Sequence, residues 1–165
     1  MILPLPLHLA IHLYLAVLSG YLAGKYFKNI PLGIIAGVMG GFFIDLDHVL
    51  EYLLVYNWHF NIIYFFQGRQ FLSSDQIHLW FHAWEYIPFL LIFAYLFRKN
   101  NRIKIALLVI ALSASVHLLT DSVINKVPPT FYTLTYRSGL DFSMKKLTSP
   151  EDYQKNQELK LELGM

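Results

Sequence analysis

The sequence predicts an all-α membrane protein, a bundle of four transmembrane helices running up-down-up-down, with an interfacial aromatic connection and a polar C-terminal tail. Two observations lead there. Hydrophobic residues make up 56% of the 165 and charged residues 15%, against about 45–50% and about 25% in ordinary soluble domains. The charges also collect at the ends of four long apolar stretches, each of about the twenty residues that a bilayer core requires. A net charge of +2 argues against nucleic acid as a partner, and the absence of cysteine excludes disulfides and thiolate metal sites.

The first stretch, Leu5 to Gly24, carries no Asp, Glu, Lys or Arg and would rise about 30 Å as a helix. Lys25 and Lys28 close it. No basic start or small-residue cleavage pattern precedes it, so it reads as a retained helix. The second stretch, Leu32 to Tyr56, begins with Gly33, Gly37, Gly40 and Gly41, a spacing that lets helices approach closely in lipid. Its second half holds Asp45, Asp47, His48 and Glu51. Residues 57–74 are rich in Trp, Phe and Tyr and suit the lipid interface. Ser73 with Gln76 then resembles a capping box for a third helix, Asp75 to Phe97, whose polar half (His78, His82, Glu85) comes first. A basic turn (Arg98, Lys99, Arg102, Lys104) leads into the fourth, Ile103 to Ile124, which is apolar until His117 and Asp121. Residues 1–126 thus form the membrane domain. Pro128 and Pro129 open the polar tail of residues 127–165, where Ser149 to Leu163 can form a short amphipathic helix.

Short-loop Lys and Arg residues mark the cytoplasmic side. The first loop holds two and the third four, but the connection between the second and third helices holds only Arg69. This predicts a multi-pass protein of the cell (inner) membrane, with both termini and the polar helix ends on the extracytoplasmic side.

The ionisable residues fall in the first half of segment one (His8, His12) and the second half of segment two (Asp45, Asp47, His48). They fall again in the first half of segment three (His78, His82, Glu85) and at the end of segment four (His117, Asp121). In an up-down-up-down bundle those halves share one side. Residues three, four or seven apart share a helix face, which groups His8 with His12, His78, His82 and Glu85, His117 with Asp121, and Asp45 with His48 and Tyr52. Asp47 points away from that last stripe. Ionisable groups at membrane depth normally face the interior and have a partner. Imidazoles with carboxylates suit a divalent metal such as zinc, manganese or iron, with Glu85 or Asp47 as the base. Simpler readings fit some residues better. His8, near the expected interface, reads as a snorkelling or hydrogen-bonded side chain, Glu51 as a partner for loop cations, and His59 as structural.

Three motifs carry a resemblance: Asp45-Leu46-Asp47-His48, the pair His78 and His82, and His117-Leu118-Leu119-Thr120-Asp121, preceded by His12. Over roughly residues 1–125 the chain resembles the bacterial and archaeal family of membrane-bound, predicted metal-dependent hydrolases, itself similar to the all-helical, zinc-dependent phospholipase C fold. Ile44 stands where that family usually has Pro, and Leu79, Trp80 and Ala83 where it commonly has Arg, Gly and Ser. The resemblance implies zinc held by Asp45, His48, His78, His82, His117 and Asp121, with His12 as a further ligand, and hydrolysis of a phosphoester or similar bond. The expected substrate is an amphiphilic or phosphorylated small molecule presented from the lipid bilayer. A non-enzymatic membrane metal- or haem-binding protein is the alternative. An ion relay would need polar residues through the whole membrane depth, and the cytoplasmic helix halves have none.

Overall fold

The computed structural model describes residues 5–165 and is helical throughout, without a strand among the described residues. Among the described residues, three helical stretches are long and apolar enough to cross a membrane: Pro6–Tyr26, Ile30–Val55 and Asn101–Ile124. The chain divides into two compact units, each made of two segments.

The first unit contains the chain up to Asp45 together with His82–Thr133. It is built from α1 (Leu5–Tyr26), α2 (Ile30–Gly41), α6 (Tyr86–Leu96) and α7 (Asn101–Ile124). Helices α1, α2 and α7 pack on one another, and α6 lies along α7. The glycines of α2 make this possible. A Cβ on Gly37 would stand 2.5 Å from the Ala16 carbonyl oxygen, and one on Gly40 would strike the Ile110 carbonyl. With little hydrophobic drive between helices in lipid, such backbone contact and polar cross-links hold them together. Ser113 Oγ donates to Gly37 O at 2.8 Å and lies 2.8 Å from Ser19 Oγ, tying all three helices. At one end Ala23, Ala36, Ile105 and Val109 form an apolar cluster. The outer faces expose large apolar side chains, among them Tyr14, Leu22, Ile35, Phe89, Leu96 and Leu112, as expected where lipid is the solvent.

The second helical stretch is not regular. After α2 the chain passes through a 3-10 turn, Phe43–Asp45, before α3 (Leu46–Val55). The Asp45 N–H turns to Phe42 O, three residues back. That break falls directly between Asp45 and the α3 residues His48 and Tyr52.

The second unit contains Leu46–Phe81 and Leu134–Met165. It holds α3, α4 (Ile62–Phe66), α5 (Arg69–Ser74), α8 (Leu134–Gly139), α9 (Met144–Leu147) and α10 (Pro150–Glu162). Tyr52 centres an aromatic group, stacked on Tyr56 at 4.7 Å and edge-on to Phe60 and Phe65. Ser149 caps α10 by accepting from the Asp152 N–H, so the tail helix forms where expected. The tail also packs into this unit, with α10 against α5 and the Tyr153 hydroxyl donating to Asp75.

The expected third helix from Asp75 to Phe97 is corrected by the structure, because only α6 is helical in that range. The expected capping box at Ser73 and Gln76 fails for the same reason: α5 ends there, with Asp75 in the left-handed region (φ 56°). The segment that follows finds its backbone partners elsewhere. Ile77 N–H donates to Phe142 O, the His78 and Leu79 N–H groups donate to Glu51, and the Phe81 N–H donates to Asp47 Oδ2. With those donors occupied, and Leu79 at φ 45°, an α-helix cannot continue. The shared helical face of His78, His82 and Glu85 therefore does not exist.

Candidate metal centre

Six side chains of the first unit converge at the end of the helices opposite the apolar cluster. His8 and His12 come from the first turns of α1, Asp45 from the 3-10 turn, and His117 and Asp121 from the last turns of α7. His82 comes from the irregular segment before α6. Its position is fixed locally: the Trp84 N–H donates to Tyr132 O at 2.9 Å. The Tyr132 ring lies 6.0 Å from the His82 ring, and the Tyr132 hydroxyl accepts from Asn125. Tyr132 sits in a 3-10 turn, Pro129–Tyr132, that packs against α7. The two prolines thus end α7 and return the chain over the site.

Within this unit the ligand atoms form two groups: His8, His12 and Asp121, and Asp45, His82 and His117. In the second, His82 Nε2 lies 3.4 Å and His117 Nε2 3.5 Å from Asp45 Oδ1. Asp121 Oδ2 closes on the same pair, 3.3 Å from His82 Nε2 and 3.2 Å from His117 Nε2. The two imidazole nitrogens are 3.0 Å apart. Tetrahedral coordination with bonds of about 2.0–2.1 Å would separate ligand atoms by roughly 3.3 Å. The separations among Asp45, His82 and His117 suit one small ion, with Asp121 Oδ2 beside the same two imidazoles.

Proton chemistry agrees. His117 Nδ1 is 2.9 Å from Gly41 O, an acceptor only, so Nδ1 carries a proton and Nε2 is the nitrogen turned inward. This donor bond to a backbone carbonyl is how ligating histidines are usually oriented. The Gly41 carbonyl would take the Asp45 N–H in a regular helix; the 3-10 turn leaves it for His117. Inward imidazole nitrogens and carboxylate oxygens at these distances need a proton or a metal ion between them. With neutral imidazoles the group carries two negative charges on Asp45 and Asp121, and a buried charge of that kind needs compensation.

The expected site residues thus divide. His12, Asp45, His82, His117 and Asp121 meet, and the buried His/Asp clusters they form can hold a metal ion. Asp47, His48 and His78 belong to the second unit. There His78 Nδ1 donates to Glu51 at 3.0 Å, His48 stands edge-on to Phe71, and Asp47 Oδ2 accepts from the Phe81 N–H. Glu85 is half-buried directly before α6 and is in neither cluster. Glu51, expected to meet loop cations, is buried and accepts from His78 and Leu79 instead. His8, read as an interfacial side chain, lies 2.7 Å from His12 and 2.9 Å from Asp121. Its spacing of one helical turn from His12 was the signal that could have promoted it. No protein-family model matches this chain, and neither the curated proteins nor the solved structures give a match.

Proposed function

We propose that this chain is a membrane-embedded, metal-dependent hydrolase that cleaves a phosphoester or similar bond in an amphiphilic, lipid-like substrate. The observation that carries the reading is the convergence of Asp45, His82 and His117 at separations suited to one ion, with Asp121 beside the same two imidazoles. This donor set favours zinc, with manganese or iron as substitutes. A divalent ion held there supplies Lewis acidity and makes water a nucleophile near neutral pH. Asp45 and His8, each with a tenth of its side chain exposed, mark where the cluster reaches the surface. Asp47 holds the backbone at Phe81, the residue before ligand His82, and acts as a positioning residue.

The apolar helix α6 is read as a fourth crossing that completes the up-down-up-down bundle, and the site as opening on the extracytoplasmic side. A substrate tail would then stay in lipid while its head group reaches the metal. Haem suits the cluster less well, because His82 and His117 Nε2 atoms 3.0 Å apart leave no room for a macrocycle between them.

The test is metal analysis of the full chain purified in detergent, beside a His82→Ala/Asp121→Ala double variant. Wild type is expected to retain stoichiometric zinc, manganese or iron and to hydrolyse a phosphoester or phospholipid from a panel. The double variant should lose the ion and roughly 10²-fold or more of the rate. A wild type that stays metal-free after reloading would sink the proposal. Bound metal without turnover would favour the non-enzymatic alternative.

A further inference from the structure

We infer that the centre takes two divalent ions rather than one, with Asp121 as a bridging carboxylate and His8 and His12 as the ligands of the second ion. The inference rests on the metal reading above and goes further in two respects: the second site and the charge of the substrate.

The geometry is divided at Asp121. Its Oδ2 faces His82 and His117, at 3.3 and 3.2 Å. Its Oδ1 faces the other way, 2.9 Å from His8 Nε2 and 2.9 Å from His12 Nε2. One carboxylate thus presents each oxygen to a different pair of imidazoles. All three residues of the second group are buried.

Hydrogen bonding alone does not account for that group. Its three atoms make three mutual contacts, because His8 Nε2 and His12 Nε2 are also 2.7 Å apart. If both rings donate to Asp121, two N–H groups face each other at 2.7 Å. If one ring donates to the other, the acceptor's remaining contact sets a lone pair or a shared proton against the carboxylate. A neutral imidazole has only one protonated nitrogen, so no arrangement of two neutral rings gives every contact its own donor. A cation among the three atoms satisfies them together. The Nδ1 atoms of His8 and His12 have no hydrogen-bond partner, so no hydrogen bond from the far side of either ring turns its Nε2 inward; the rings are held by packing, His12 on His117 at 3.9 Å and His8 on His12 at 4.4 Å.

Two divalent ions also change the charge balance. Against the carboxylates of Asp45 and Asp121 they leave two positive charges unmatched. A buried excess of that sign calls for an anion, and a phosphate ester supplies one. Paired ions commonly clamp the attacking and leaving oxygens of such a group. The substrate class is therefore an anionic phosphoester rather than a neutral ester or amide.

Three full-length proteins in detergent test this: wild type, His12→Ala and His8→Ala. His8 lies near the start of α1, so its variant should disturb packing least. After chelation and reloading with zinc alone, wild type should bind about two ions per chain and each variant about one. Reloading with manganese(II) gives a second readout. Wild type should show the electron paramagnetic resonance spectrum of an exchange-coupled pair, and the variants the six-line spectrum of an isolated ion. One zinc per chain in wild type, unchanged in both variants, would overturn the second site and leave the proposed function standing. An uncoupled manganese spectrum in wild type would also overturn it. No ion in any of the three would overturn both.

Discussion

Every backbone N–H removed from water has to find an acceptor, and for His78, Leu79 and Phe81 the acceptors are side chains. Glu51, 2% exposed, accepts from the His78 and Leu79 N–H groups and from His78 Nδ1. Arg137, fully buried in the same unit, donates to Leu79 O. A carboxylate so placed sets the path of the chain, which is why Glu51 was misread as a surface partner: the donors it serves lie 27 and 28 residues away. Replacing it leaves those donors unsatisfied, at about 1–3 kcal/mol each. Glu51→Ala should therefore lower the thermal midpoint of the detergent-purified chain clearly, by roughly 2–5 kcal/mol of stability. Glu51→Gln, which keeps one acceptor oxygen, should lose about half as much. Equal, near-zero effects in both would refute this role.

At the scale of elements, most of what could be read in advance lay in regular helices. His117 and Asp121 share a face of α7, and His8 and His12 one of α1, because the 3.6-residue turn brings fourth neighbours together. The glycines of α2 were legible for a similar reason. What was not legible came from breaks in regularity. The 3-10 turn Phe43–Asp45 interrupts the expected second helix, and the long-range bonds of Glu51 and Asp47 unwound the expected start of the third helix. Spacing along a chain cannot reveal a hydrogen bond to a residue about thirty positions away. The close contact of α1 with α2 makes a further prediction. A side chain at Gly37 would collide with the Ala16 carbonyl and the Gly20 backbone, whereas a Cβ at Gly139 meets nothing within 4 Å. Gly37→Leu should cost about 1–3 kcal/mol or more in unfolding experiments, while Gly139→Ala should stay within about 0.5 kcal/mol. A Gly37→Leu protein as stable as wild type would mean that the two helices can separate freely.

For the whole molecule, the distribution of charge relative to the three apolar stretches decides how the chain lies in a membrane. The loop cations Lys25, Lys28, Arg98, Lys99, Arg102 and Lys104 border the apolar ends of the helices, whereas His12, His117 and Asp121 sit towards the opposite ends. If positive loops stay in the cytoplasm, the His/Asp cluster of the first unit faces outward. The chain contains no cysteine, so a single introduced thiol is a unique label. His59→Cys tests the connection after α3, and Lys99→Cys the loop after α6; both positions are exposed. In intact cells a membrane-impermeant maleimide should label His59→Cys and leave Lys99→Cys unreacted until the membrane is permeabilised. The reverse pattern would place the cluster on the cytoplasmic side and turn the search for substrates to the inner leaflet. Labelling of both in intact cells would show that α6, shorter than the other three apolar stretches, does not complete a crossing, and the four-helix topology would fall with it.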